Sequence, residues 1–194
     1  VMSLLAEMLG AAEILARDFA DAQFVPPLAE TVDPGLVQGI LGQQAVPVSV
    51  LPGQMYDAVG ISDAAIVASG TATLETALLQ TPMVITYKIS PLTAAIAKML
   101  VRVRHIGLVN IIAGKTLVPE LVQDDATAEK LAAEVKAILS DRQRSDAIRG
   151  ELAGIRQKLG EPGASRRAAE LALGLMKTGH RVRGTGYREE GEKT

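Results

Sequence analysis

Three short segments hold most of the chemistry this chain can do. The first is Ser69-Gly70-Thr71-Ala72-Thr73-Leu74-Glu75, which follows the small apolar run Ala64–Ala68 and opens a helical pattern. Gly70 lets a ligand approach the backbone closely. The N–H groups of Thr71, Ala72 and Thr73, still unpaired at a helix start, point outward with the hydroxyls of Ser69, Thr71 and Thr73 beside them. Such a ring of neutral donors holds phosphate without a metal. Glu75, one turn further in, is placed to accept hydrogen bonds from ribose hydroxyls. The plainer reading of the same residues is a helix capped by Ser or Thr, with Glu75 as a capping-box partner.

The second segment, Gly107 to Gly114, sets Asn110 inside an apolar run, where a buried amide must find partners and can orient a ligand; a turn-forming loop Asn is the alternative. The third, Pro119-Glu120-Leu121-Val122-Gln123, reads as one helical turn that offers Glu120 and Gln123 to a sugar or ribose, or simply as a helix start with an acidic first turn. A fourth stretch, residues 91–104, joins Leu92, Ile96, Met99 and Leu100 to Lys98, Arg102 and Arg104. It fits contact with a membrane surface, or a core-packed helix with basic residues at its C-terminal end. His105 reads as structural.

Composition removes whole classes of function. The chain has no Cys and two His, so thiolate zinc sites, Cys nucleophiles and His-rich metal sites are excluded. Net charge is −2 and only 3% of residues are aromatic, which argues against a nucleic-acid footprint and against base-stacking platforms. Residues 1–100 carry three basic against nine acidic side chains, and residues 101–194 carry seventeen against thirteen. That asymmetry places a basic end toward an anionic partner, or a solvated helical face. No apolar run reaches the ~20 residues of a membrane-spanning helix. No Walker A or Gly-x-Gly-x-x-Gly motif is present, and no nucleophile–base pair stands out.

The elements that must position these segments follow from periodicity. Apolar residues at helical spacing mark residues 2–17, and Asp33-Pro34 opens a helix to Leu41. Strands are expected at 22–28, 46–51, 64–68 and 83–87, with helices at 55–59, 71–79 and 91–101 between or after them. Residues 106–118 read as a short strand with loop, and residues 127–139, 142–159 and 164–176 as three helices. Strands alternating with helices imply an α/β fold with a mainly parallel, doubly wound sheet, whose ligands sit at the C-terminal strand ends. The expected division is a nucleotide-binding domain over 1–140, C-terminal helices over 141–177 and a disordered tail over 178–194. Val1, and a first helix with no capping residue, read as a fragment whose upstream part is missing.

Taken in order, Ser69-Gly-Thr-Ala-Thr-Leu-Glu75, Pro82-Met-Val, Tyr87-Lys88, Asn110-Ile-Ile-Ala-Gly114 and Pro119-Glu-Leu-Val-Gln123 resemble the C-terminal half of the lipid-A-disaccharide synthase family, over about residues 1–175. The resemblance implies the C-terminal, Rossmann-like domain of a GT-B glycosyltransferase with helices on both faces of its sheet. It implies an inverting transfer of diacylglucosamine from a UDP donor to diacylglucosamine 1-phosphate, giving a β-1,6-linked lipid A precursor. It implies no metal and no cofactor. Carried over by position, Ser69, Gly70, Thr71, Ala72 and Thr73 hold the diphosphate and Glu75 takes the ribose. Asn110 is needed for activity at the donor site, and Glu120 and Gln123 line the same cleft. Tyr87 and Lys88 are weaker candidates.

The resemblance also implies an enzyme of the cytoplasmic side, peripheral to the inner membrane through residues 91–104. The N-terminal acceptor domain with its general base, and a Gly-Ser-Arg loop just upstream, are not in this sequence, so the chain alone is expected to be inactive. Two other readings share these residues: another UDP-sugar enzyme of the same architecture, such as a peptidoglycan-precursor transferase or an epimerase, and a non-catalytic nucleotide-binding module that docks on membranes. The Ala- and Leu-rich residues 164–176 are expected to pack on a second copy or on the upstream domain.

Overall fold

A computed structural model describes residues 2–28, 34–41, 46–89, 104–161 and 163–177. They form two compact units, one ending at Leu159 and one beginning at Gly160. The sequence places a boundary after residue 140; in the structure, residues 142–159 lie in the same unit as the sheet.

The centre of the first unit is a three-stranded parallel sheet ordered β3 (Ala65–Ala68), β4 (Met83–Tyr87), β5 (Glu120–Val122). Ala65 pairs with Met83 and Ala68 with Thr86 on one side of β4, and Ile85 with Glu120 and Tyr87 with Val122 on the other. Met83 through Thr86 are all buried, as a central strand covered on both faces must be. Because all three strands run the same way, Ser69, Lys88 and Gln123 follow at one edge. A second, two-stranded parallel sheet pairs β1 (Pro27–Leu28) with β2 (Leu51–Pro52), extended by a bridge between Phe24 and Val48. Both regions are expected to be longer strands. Pro26, Pro27, Pro47 and Pro52 each lack the N–H a ladder needs, and pairing is confined to these few residues.

Helices flank the three-stranded sheet. Helix α1 (Met2–Asp18) packs along α6 (Ala128–Ser140), which lies on β3 and β4. The crossing is close: a Cβ on Gly10 would stand 2.9 Å from the Ala128 Cβ. Helices α4 (Ala72–Leu78) and α5 (Leu108–Ala113) pack on one another and on α7 (Arg142–Leu159). Helix α3 (Met55–Ile61) leans on β1, β2 and α4. Helix α2 spans Pro34–Leu41. The core joins Leu15, Val67, Met83, Ile85, Leu131, Ile138, Leu152 and Ile155 from α1, β3, β4, α6 and α7. In the second unit, α8 (Ala164–Lys177) presents Leu171, Leu173, Leu175 and Met176 to solvent.

Two expectations are corrected. Residues 108–113 are a helix rather than strand and loop, ended by Gly114 in the left-handed region at φ +74°. Six residues are too few to show a period, and Gly114 is the usual left-handed stop. Residues 120–122 are strand β5 rather than a helical turn, with a 3-10 turn only at Gln123–Asp125. Pairing with β4 overrides the Pro-Glu helix-start signal, which acts locally. The expected helix at 91–101, and with it Lys98 and Arg102, lies outside the described residues, as does the tail 178–194.

Candidate functional site

The turn after β3 is built from both neighbours. Ser69 donates its N–H to the Thr86 carbonyl at 2.9 Å, extending the ladder one residue past Ala68. Its hydroxyl donates to the Ile106 carbonyl at 2.9 Å. Gly70 then turns the chain at φ +156°, and a Cβ there would meet nothing within 4 Å. The space above Gly70 is open.

Thr73 is turned inward, not outward. It is fully buried; its hydroxyl donates to the Gly70 carbonyl at 2.8 Å and its N–H to the same oxygen at 3.2 Å. The expectation of an outward N–H at Thr73 is therefore corrected, because that carbonyl sits within reach and satisfies both groups. Thr73 instead braces the turn from below. The N–H groups of Gly70, Thr71 and Ala72 meet no acceptor among the described residues, and Gly70 and Thr71 are exposed. These three donors are the outward-facing part of the turn. Glu75, half-buried, makes no side-chain hydrogen bond among the described residues. Its carboxylate remains open to a ligand one helical turn from Gly70.

The second cluster is closed. Asn110 is fully buried and all of its amide capacity is used. Its Oδ1 accepts from the N–H of Leu117 at 2.8 Å and of Val118 at 3.1 Å. Its Nδ2 donates to the Val118 carbonyl at 2.8 Å and to Glu120 Oε1 at 2.7 Å. Two backbone N–H groups on one side demand an oxygen there, so the network itself assigns the amide's orientation. Glu120 is equally committed. Its Oε2 accepts from the Ile106 N–H at 2.8 Å and its Oε1 from the Gly107 N–H at 3.1 Å. The carboxylate thus caps the start of α5 from a neighbouring strand, where negative charge is favoured. His105 Nδ1 lies 3.9 Å from the same Oε1.

The side chains of Asn110 and Glu120, expected to face a ligand, are in this geometry bonded to the backbone and to each other. Gln123, at φ +55°, accepts the Ile89 N–H through Oε1 at 3.3 Å and holds the chain leaving β4. Tyr87 is partly exposed at the end of β4. Lys88 is committed elsewhere: its Nζ donates to Glu7 Oε1 at 2.9 Å and to the Ala126 carbonyl at 3.4 Å. Glu7 in turn accepts the Ala128 N–H at 3.0 Å, capping α6. The Lys88 hydrogen bond is the main reason the Glu7 carboxyl is held below its ordinary value; partial burial opposes it, and the Ala128 bond reinforces it.

The structure therefore brings Ser69, Asn110 and Glu120 into one hydrogen-bonded chain and leaves Gly70, Thr71, Ala72 and Glu75 open beside it. Ile106, which joins the two with Gly107, is missed by the sequence reading, and Gly107 is read there only as the start of the Asn110 segment. Gly107 carries a signal all the same: a Cβ there would stand 2.3 Å from Ile85 Cδ1 and 3.2 Å from Glu120 Oε1. Glu7 is missed too, although a lone carboxylate beside the apolar residues Leu4, Met8 and Ala11 marks a polar contact inside a packed face. Among the described residues no group of three or more His, Asp or Glu side chains is placed to hold a metal ion, and no helix is long and apolar enough to cross a membrane.

Comparison with known proteins agrees with the ordered motifs. The family model for lipid-A-disaccharide synthetase matches residues 1–173. The chain is 50% identical over 178 residues to the lipid-A-disaccharide synthase of Syntrophus aciditrophicus, covering 91% of this chain and 46% of that protein. It is 47% identical over 175 residues to the one of Anaeromyxobacter dehalogenans strain 2CP-1, covering 90% and 46%, and 42% identical over 176 residues to the one of Geobacter sulfurreducens, covering 91% and 46%. The chain spans about half the length of these curated relatives. It belongs to the lipid-A-disaccharide synthase family.

Proposed function

We propose, with that family membership as premise, that this chain supplies the donor-binding half of a glycosyltransferase of lipid A biosynthesis. The donor is UDP-diacylglucosamine and the acceptor a diacylglucosamine 1-phosphate. In the transfer the bond from the sugar C1 to the diphosphate oxygen breaks, and the acceptor hydroxyl oxygen bonds to C1 from the opposite face. The hydroxyl proton passes to a base outside this chain, and UDP leaves with the bonding pair.

The observation that carries this reading is the open turn: three N–H groups, of Gly70, Thr71 and Ala72, without a partner among the described residues, around a glycine where a Cβ would meet nothing within 4 Å, at the C-terminal edge of a parallel sheet. Negative charge grows on the departing diphosphate, and donors already aimed at it need no reorganisation. Loss of one such donor in comparable sites costs about a hundredfold in rate. Ser69 and Thr73 support the turn from within, and Glu75 receives the ribose hydroxyls. Asn110, Glu120 and Gln123 keep the surrounding strand ends in place.

Titration of the chain with UDP, followed by backbone amide NMR with ADP as control, tests the assignment. The expected result is shifts at Gly70, Thr71 and Ala72 with UDP, absent with ADP and weakened by Glu75→Ala. Equal shifts with both nucleotides, or none in the folded chain, overturn it. Acylated substrates suit an enzyme that works at the cytoplasmic face of a membrane, and the sequence offers the basic residues Lys98, Arg102 and Arg104 for contact with anionic lipid. Co-sedimentation with phosphatidylglycerol vesicles, lost on neutralising all three, is the expected outcome. The apolar residues of α8 are assigned to a second copy or to the upstream half, which sedimentation of this chain beside the full-length enzyme distinguishes.

A further inference from the structure

Ser69 and Glu120 hold opposite ends of one peptide unit. The Ile106–Gly107 peptide offers its carbonyl to the Ser69 hydroxyl at 2.9 Å and its N–H to Glu120 Oε1 at 3.1 Å. In a trans peptide these groups point in opposite directions within one plane, so the unit is a rigid strut between two partners. On the far side, Glu120 Oε1 also receives Asn110 Nδ2 at 2.7 Å, and Oε2 receives the preceding N–H of Ile106 at 2.8 Å. On the near side, Ser69 is the residue before Gly70, its own N–H fixed to Thr86 at 2.9 Å. The strut cannot shift toward the sheet: Gly107 is buried, and Ile85, with no exposed surface, lies directly against it.

The geometry points to a positioning relay, Asn110 to Glu120 to the Ile106–Gly107 peptide to Ser69, that sets the orientation of the turn at Gly70. None of the relay's side chains has to touch the donor. Asn110 is fully buried, Glu120 nearly so, and the Ser69 hydroxyl is spent on Ile106. Each link polarises the next: a carboxylate on a peptide N–H makes the carbonyl of that peptide a stronger acceptor, here for the Ser69 hydroxyl. The relay explains why an Asn and a Glu stay polar in an otherwise apolar layer between α5 and β5. It stands on the ligand-free structure. Its consequence for UDP rests on the donor reading above.

The test uses the chain as it stands, first without ligand. Glu120→Gln puts an amide N–H₂ or a weaker acceptor where two backbone N–H groups and the Asn110 Nδ2 now converge. Hydrogen-exchange protection of Ile106 and Gly107 is expected to fall about tenfold, and the amide resonances of Gly70 and Thr71 to move. Ser69→Ala is the reverse probe and removes only a hydroxyl, so it remains informative where Glu120→Gln fails to fold. It is expected to move the Gly107 amide and the Asn110 Nδ2 resonances. Adding it to Glu120→Gln should give no further displacement at Gly70. Glu7→Gln, which removes a carboxylate capping α6 instead, lowers stability and is expected to leave Gly70 in place. A general structural role would move all three variants alike.

Ser69→Ala leaving Gly107 and Asn110 unmoved, or folded Glu120→Gln leaving Gly70 unmoved, overturns the relay. With UDP present, each relay variant is expected to weaken binding about fivefold, and the double variant no more than the worse single one. A wild-type chain that ignores UDP overturns the donor reading while the ligand-free shifts still decide the relay. Variants that bind UDP as the wild type does overturn the relay's effect on the site.

Discussion

Two polar regions lie side by side at the C-terminal edge of the sheet, and they are opposites. The amide of Asn110 and the carboxylate of Glu120 are fully partnered, and the glycine at their centre, Gly107, is walled in by Ile85 and Glu120. Around Gly70 three N–H groups have no partner among the described residues, and the glycine faces empty space. Polar groups that satisfy one another hold a shape; polar groups left open at a strand end wait for something else. Residue type does not separate the two cases. Asn110 and Thr71 are both polar residues beside a glycine-marked turn, and only the partners tell positioning from binding.

The comparison breaks most sharply at Asn110. Asn110→Ala removes four hydrogen bonds and leaves two backbone N–H groups, the Val118 carbonyl and the Glu120 carboxylate short of a partner. Stability is expected to fall by about 3 kcal/mol, read as a lower urea midpoint at unchanged slope. On the proposed function, activity of the full-length enzyme is expected to fall with it. An Asn110→Ala chain as stable as the wild type would show that the closed cluster is not what holds this edge.

The two glycines give the next contrast. Gly107→Ala forces a Cβ to 2.3 Å from Ile85 Cδ1 in a buried layer, and overpacking of that kind costs about 2 kcal/mol. Gly70→Ala meets no atom. Its cost is the strain of φ +156°, about 1 kcal/mol, while UDP binding weakens by more than the stability change because the new methyl enters the open space. Parallel thermal melts and UDP titrations of both variants measure the difference. Equal losses of UDP binding per unit of stability would erase the distinction between walled and open glycine.

The smallest effect lies away from this edge, at Glu7. Its carboxyl is held below its ordinary value, near 4.5, chiefly by the Lys88 hydrogen bond. A depressed folded-state value means the contribution is complete above the unfolded value and is lost as pH falls through the folded one. Glu7→Gln should therefore cost about 0.5 kcal/mol at neutral pH, and the deficit should vanish as the wild type is titrated below pH 4.5. Urea midpoints across that window measure it; a deficit that persists at low pH would assign the effect to packing of α1 on α6.

Much of this edge was legible in the sequence. The buried run Ala64–Ala68 leading into Ser-Gly-Thr announces a strand, a turn and a helix, because apolar continuity, a glycine and hydroxyl residues each act locally. Met83–Tyr87 and the long helices 128–140 and 142–159 are legible for the same reason. The α5–β5 segment was not. Its helix is too short to show a period, and β5 exists because Ile85 and Tyr87 stand ready to pair with it, overruling a local helix-start signal. The commitments of Glu120 and Thr73 were illegible as well, since a carboxylate or hydroxyl at a turn looks the same whether it meets a ligand or the next backbone.

By itself, then, the sequence determined the α/β alternation, the glycine turn after β3, and, through the order of its motifs, the family. These depend on neighbours along the chain, where spacing maps directly onto shape. The tertiary structure alone decided which polar residues face inward. Ser69 meets Ile106 across 37 positions, and Glu7 meets Ala128 across 121. Partners so distant leave no periodic trace, and the free energy of an unsatisfied buried group is what selects them.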